Sequence, residues 1–216
     1  MGKFDIVTII IIAANALISY KGFSDYSFFD KYKFQVGAVQ RGEKFRMLSS
    51  GFLHADTQHL LFNMFSLYVF AEVVVALLSP IQFLLVYFGS LLAGSLLSLY
   101  FHKSEYHYSA VGASGAVSGI IYSAILLQPG MSLYMFFIPI PIPAYIFGIG
   151  YLLYSIYGMK NKVGNIGHDA HFGGAVGGYI ITLLLSPSLF ETNVLKIILL
   201  AIPIILLFAL KKIGKI

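Results

Sequence analysis

The sequence predicts an all-α membrane protein, with residues 1–187 forming a six-helix transmembrane bundle and residues 188–216 adding one C-terminal transmembrane helix and a basic tail. Three observations carry this. Hydrophobic residues make up 58% of the 216-residue chain and charged residues only 11%, with a mean hydropathy of +0.84. Apolar runs approaching the roughly 20 residues that a helix needs to cross a hydrocarbon core recur along the chain, separated by short polar gaps. The runs are continuous rather than alternating; since a bilayer admits only helices and closed barrels, they read as helices.

The first span is expected from about Phe4 to Tyr20. Tyr20 to Gln58 is the longest segment that does not span, and it interleaves Lys21, Lys31, Lys33, Arg41, Lys44 and Arg46 with Phe23, Tyr26, Phe28, Phe29, Tyr32 and Phe34. That mixture suits a segment lying in the interface, aromatic side in lipid and basic side in water. The second and third spans cover about His59–Ser79 and Ile81–Phe101. A fourth begins at Ser114 and stops near Gln128-Pro129-Gly130. Three prolines between Ile138 and Pro143 remove backbone donors, so that stretch is expected to be extended, with Pro143 in the first turn of a fifth helix reaching Gly158. A polar link leads to a sixth helix, Asp169–Leu185, and the last apolar run, Val194–Leu210, ends in Lys211 and Lys212. On so little polar surface a net charge of +5 reads as interfacial anchors against membrane lipid, not as a nucleic-acid footprint. Zero cysteines exclude disulfides and thiolate chemistry.

The stretch with chemical promise is Gly112-Ala113-Ser114-Gly115. It stands where a polar loop, His102–Ser109, gives way to an apolar run, so the serine hydroxyl sits at the mouth of a membrane helix without a bulky neighbour. Counting spans puts His54, His59, His168 and His171 on the same side of the membrane as Ser114, while His102 and His107 belong to the loop, where solvation is the ordinary case. His171 continues into the sixth span, with Gly174 and Gly178 on the same helix face. Small residues let membrane helices approach closely, and the fourth span offers Ser114, Gly115, Ser118 and Gly119. Contact between these faces would bring Ser114 beside His171, although the glycines equally fit helix packing without catalysis.

A serine beside a histidine is a nucleophile with a general base. Asp169, two residues from His171, points to the opposite helix face, so the expectation is a Ser-His dyad without an orienting carboxylate. His59 and Asn63, spaced i and i+4, can both donate to a developing oxyanion, each worth about 3 kcal/mol in such a role; an interhelical polar clamp fits the same pair. With no H-E-x-x-H, and no glutamate base in His168-x-x-His171, neither a metal nor a cofactor is expected. Glu72 lies about 20 Å along the helix axis from His59, too far to act on the same atom, and is expected to be a buried structural acid near the far interface.

His59-x-x-x-Asn63, Gly112-x-Ser114-Gly115 and Ala170-His171-x-x-Gly174 resemble, in order, spacing and helix assignment, the rhomboid intramembrane serine proteases. Phe45-Arg46 resembles that family's aromatic-Arg motif, with Phe where Trp is usual. The resemblance implies Ser114 as nucleophile, His171 as base, and an oxyanion held by the Ser114 N–H with His59 and Asn63. It implies a partly embedded loop after the first helix, lateral substrate entry gated by the fifth helix, and transmembrane proteins as substrates in the cell membrane. The alternative is a catalytically inactive rhomboid-like protein that binds transmembrane helices. One departure stands out: many members carry a tyrosine one turn after the serine, stacked on the histidine, where this chain has Ser118. Tyr122, one turn further, is the expected substitute.

Overall fold

The computed structural model describes residues 5–135, 138–164 and 166–216; the expected first-helix start at Phe4 lies outside them. Seven long helices organise the described residues: α1 Ile6–Ser24, α2 Thr57–Leu77, α3 Pro80–Phe101, α4 Ser114–Leu127, α5 Ala144–Asn161, α6 His168–Leu185 and α7 Val194–Lys212. Their starts follow local chemistry. Asp5 accepts from the Val7 N–H, Asp56 from the His59 N–H, and Ser79 Oγ from the Gln82 N–H with Pro80 opening α3, each satisfying a donor that the first helical turn leaves free.

Length and composition divide these helices. α1, α2, α3 and α7 are long and apolar enough to cross a bilayer. With 14 residues, α4 extends about 21 Å, short of a hydrocarbon core about 30 Å thick. In α5 and α6 glycines and polar residues dilute the apolar run. The short helix is the one that begins with Ser114, so its N-terminus can lie within the membrane's depth while longer neighbours reach the surface.

The segment between α1 and α2 is knitted rather than loose. Arg46 ties the helical pieces Tyr26–Tyr32 and Arg46–Ser49 together, donating to the Asp30 and Lys33 carbonyls and to Glu43 Oε2. A third piece, Val36–Gln40, is held by its Val36 and Gly37 N–H groups, which donate to the Tyr108 and Tyr106 carbonyls. Strand β1 (Phe34–Gln35) pairs antiparallel with β2 (Ser109–Ala110), Phe34 opposite Ala110, joining this segment to the loop before Ser114. The proline-rich stretch is extended as expected, forming β4 (Ile138–Pro143) antiparallel to β3 (Ser132–Met135). Pro143 precedes α5 instead of sitting in its first turn.

α6 is the central helix. A Cβ on Gly174 would stand 1.9 Å from the Gly115 carbonyl oxygen, and one on Gly178 2.2 Å from that of Gly119, so these glycines admit α4. Gly173 and Gly177 do the same for α3, where added Cβ atoms would meet the Ala93 oxygen at 2.7 Å and the Ala93 Cβ at 2.8 Å. Lipid tails are as apolar as side chains, so close packing and interhelical hydrogen bonds hold such bundles together. Thr182 Oγ1 donates to Ser123 Oγ at 2.8 Å, Asn15 Nδ2 to the Tyr87 hydroxyl at 3.2 Å, and the Tyr179 hydroxyl to the Ile197 carbonyl at 3.0 Å. One apolar cluster joins α2, α3 and α4 through Leu67, Phe83 and Ile120. A second joins α5, α6 and α7 through Leu152, Phe172 and Leu200.

Glu72 departs from expectation: it is exposed on the outward face of α2. The apolar positions Leu67, Ala71 and Val74 face inward, and helical spacing turns residue 72 away from them.

Candidate active site

Ser114 is the first residue of α4, and the turn before it depends on Gly112. Its φ of +128° lies in the region that only glycine occupies without strain, and a Cβ there would also stand 2.7 Å from His59 Cε1. The glycine thus turns the chain and admits the His59 ring. The Gly112 N–H donates to the Ser50 carbonyl at 3.0 Å, and the Ala113 carbonyl accepts the first helical bond of α4, from the Val117 N–H at 2.9 Å. The Ser114 N–H, in the first turn, has no acceptor within its own helix.

The glycine contact between α4 and α6 brings Ser114 Oγ within 2.6 Å of His171 Nε2. For Nε2 to accept the hydroxyl proton, a neutral His171 carries its own hydrogen on Nδ1. Asp169 is turned elsewhere: it accepts from the Tyr108 hydroxyl at 3.2 Å and faces His102 Nε2 at 3.6 Å. Burial, then the Asp169 charge, raises the Tyr108 hydroxyl pKa, keeping it a donor to the carboxylate. His102 is accordingly no solvated loop residue. Its ring stacks on Tyr108 at 3.5 Å and its Nδ1 lies 3.1 Å from Glu105.

His59 lies against Gly112, beside Ser114, with its backbone held by the Asp56 cap. Asn63, nearly buried, donates one amide hydrogen to the His59 carbonyl at 3.1 Å; the second hydrogen of that NH₂ is left for another acceptor. Among the described hydrogen bonds neither side chain contacts Ser114, so the structure brings His59 to the site's edge without a direct bond. Gly115 permits close passage of the Ala170 carbonyl, whose oxygen an added Cβ would meet at 3.2 Å.

The other histidines divide into separate roles. His168 Nε2 lies 3.1 Å from the Val163 carbonyl and its ring meets Tyr154 edge-on, holding the link into α6. His54 is fully buried behind the loop before Ser114.

Tyr122 does not support His171. It is fully buried and its hydroxyl donates to the Gly148 carbonyl of α5. The ring beside His171 is Tyr151 of α5, at 6.1 Å between centroids and 18° between planes, and its hydroxyl is hydrogen-bonded to Ser118 Oγ at 2.9 Å. The small Ser118 leaves room for a ring arriving from the neighbouring helix and supplies its polar partner. No local motif marks Tyr151; the signal in the sequence was the serine standing where a tyrosine is usual.

A Rhomboid domain profile matches residues 41–188, the stretch that contains every one of these site residues. The chain belongs to the rhomboid family. Relatives of this rhomboid include RHOMBOID-like protein 12, mitochondrial, from Arabidopsis thaliana, 29% identical over 188 residues, covering 79% of this chain and 55% of that protein. Rhomboid protein 1, mitochondrial, from Saccharomyces cerevisiae is 29% identical over 140 residues, 63% of this chain and 40% of its own length. Rhomboid protease GluP from Bacillus subtilis is 30% identical over 143 residues, 65% of this chain and 26% of its own. This rhomboid therefore spans about half or less of the length of these relatives. Family and fold together make it a multi-pass membrane protein of rhomboid type, in a family that acts on membrane protein substrates within the bilayer and includes serine proteases.

Proposed function

We propose that this rhomboid is an intramembrane serine endopeptidase that cleaves transmembrane segments of other membrane proteins with a Ser114–His171 dyad. The observation that carries the reading is the 2.6 Å approach of Ser114 Oγ to His171 Nε2. In the reaction, Oγ attacks the scissile carbonyl carbon as its proton passes to Nε2, and the resulting oxyanion is held by the Ser114 N–H with His59 and Asn63. Collapse expels the amine, which takes the proton from His171 and leaves an acyl-serine. A water molecule, deprotonated by His171, then releases the acid and regenerates the hydroxyl. Helical peptide bonds are shielded, so the preferred substrates have small or helix-breaking residues that unwind near the interface. Residues 1–187 carry this chemistry, 188–216 add an accessory helix, and the working location is the cell membrane.

The test is incubation of purified protein with a panel of single-span substrates. Ser114→Ala, His171→Ala and the double variant should each abolish detectable cleavage, the double no worse than either single, because the two groups act as a unit. His59→Ala and Asn63→Ala should each lower the rate about 10- to 1000-fold, with the backbone donor left in place. A wild-type protein that neither cleaves any substrate nor reacts with a fluorophosphonate probe would point instead to the inactive helix-binding alternative.

A further inference from the structure

His54 lies in the short link before α2, fully buried beneath the turn that leads into Ser114. A buried polar group needs its partners, and here the hydrogens can be counted. The Ser19 hydroxyl of α1 has one proton, and it is 2.9 Å from the Phe52 carbonyl, which can only accept. At 2.8 Å from His54 Nδ1, Ser19 Oγ therefore serves the ring as acceptor, so Nδ1 carries the hydrogen. A neutral imidazole has no second one. Nε2 is bare and accepts the Ala113 N–H at 3.3 Å. In the opposite tautomer Nε2–H would face the Ala113 N–H, donor against donor, and the Phe52 carbonyl would lose its partner. Burial, reinforced by the neighbouring His59 and only partly opposed by Asp56, pushes the His54 pKa down to about 3, so the neutral ring that this arrangement needs persists over the working range.

We infer that His54 is a positioning residue for the active site: its Nε2 anchors the Ala113 amide to α1 through Ser19 and thereby sets the direction of the Ser114 N–H. Two bonds hold the turn, Gly112 N–H to the Ser50 carbonyl and Ala113 N–H to His54. Both reach back to the segment just before α2. These bonds tie the peptide planes on either side of Gly112, and the Val117 N–H, donating to the Ala113 carbonyl, ties the plane that follows. The first free donor of α4 is then the Ser114 N–H, the group proposed to meet the oxyanion. His54 touches no substrate in this scheme; it acts through the backbone. The inference rests on the serine-protease reading and adds a residue to it.

The test compares wild type with His54→Leu, which keeps bulk but has no acceptor, His54→Gln, whose Oε1 can stand near the Nε2 position, and Ser19→Ala. Three readouts are taken on folded, detergent-purified protein: kcat and KM on a single-span substrate, the rate of fluorophosphonate labelling at Ser114, and the unfolding midpoint. His54→Leu should lower kcat and labelling about 10- to 100-fold with KM unchanged, the pattern of an interaction expressed in the transition state. His54→Gln should recover most of that loss, and Ser19→Ala should fall between. A folded His54→Leu that labels and turns over within twofold of wild type overturns the inference, as does a variant whose midpoint falls while kcat of the folded fraction holds. If His54→Leu does not fold, Ser19→Ala and His54→Gln decide it, and wild-type rates in Ser19→Ala overturn it. A wild-type protein that neither labels nor cleaves overturns the protease reading itself, and this inference with it.

Discussion

Adding one methyl group at Gly174 should separate the two halves of the active site. A Cβ there would lie 1.9 Å from the Gly115 carbonyl oxygen and 2.6 Å from its carbon, whereas real Cβ contacts essentially never fall under 3.0 Å. Both clashing atoms are backbone, so no side-chain rotation relieves them, and α4 must move from α6 by about 1.1 Å. Gly115 adjoins Ser114 and Gly174 is one turn from His171, so the displacement is carried to the dyad. Opening the 2.6 Å contact by that amount gives about 3.7 Å, outside hydrogen-bond range. Misplacement of this size can cost about 100-fold in rate, and overpacking adds about 1–3 kcal/mol of destabilisation. Gly174→Ala is therefore expected to lose about two orders of magnitude in kcat on a single-span substrate, to label slowly with a fluorophosphonate, and to unfold at lower temperature. Gly150→Ala is the control, because a Cβ at that exposed helical position meets nothing within 4 Å. A folded Gly174→Ala protein that cleaves within a fewfold of wild type would refute the link between the glycine contact and the dyad.

Asp169→Asn should leave cleavage near the wild-type rate, because the carboxylate serves Tyr108 and His102; inactivity equal to Ser114→Ala in a folded variant would make it a third catalytic member. Tyr151→Leu removes the ring beside His171 and should lower kcat about 2- to 13-fold, the rate equivalent of an aromatic contact worth about 0.5–1.5 kcal/mol. Tyr151→Phe keeps the ring and should lose less activity, so equal losses in the two variants would assign the effect to the Ser118 hydrogen bond. Truncation after Pro187 removes Ile197, Leu200 and Leu207 from the second apolar cluster; the unfolding midpoint should fall while cleavage stays measurable, and a folded but inactive truncation would extend the catalytic unit into α7. Finally, His54 titrates near 3 when folded against an ordinary 6.5, so the unfolded chain binds more protons between those values. Stability should fall as pH drops through that window, by up to about 1.4 kcal/mol per unit, and His54→Gln should show a shallower decline of unfolding midpoint between pH 6 and 4. An unchanged slope would mean that His54 is not buried as a neutral ring.

Helix positions were legible in the sequence because lipid imposes them: a bilayer admits only helices and closed barrels, so continuous apolar runs such as the one ending at Ser79 or the one stopped by Pro129 read as helices. The spacing of Gly174 and Gly178 likewise announced close packing, since a small residue has the same consequence wherever its neighbour lies, while the second face, Gly173 and Gly177 against α3, came only with the structure. Span parity led to the expectation that Ser114 and four histidines share one side, and the structure brings His54, His59 and His171 to Ser114 and the turn before it. What pattern alone could not supply was direction and partner. Tyr151 reaches His171 from a helix that shares no motif with it, and Tyr122, chosen by spacing, turns instead to the Gly148 carbonyl. Glu72 reads as an intramembrane acid in one dimension and proves exposed once Leu67, Ala71 and Val74 define the buried face. His54 was one histidine among several until Ser19 and Ala113, distant in the chain, fixed which of its nitrogens bears the hydrogen. Local chemistry decides where a membrane helix begins and how closely it can be approached, but a side chain's role depends on which atoms the packed bundle brings within 3 Å of it, and that distance has no counterpart along the chain.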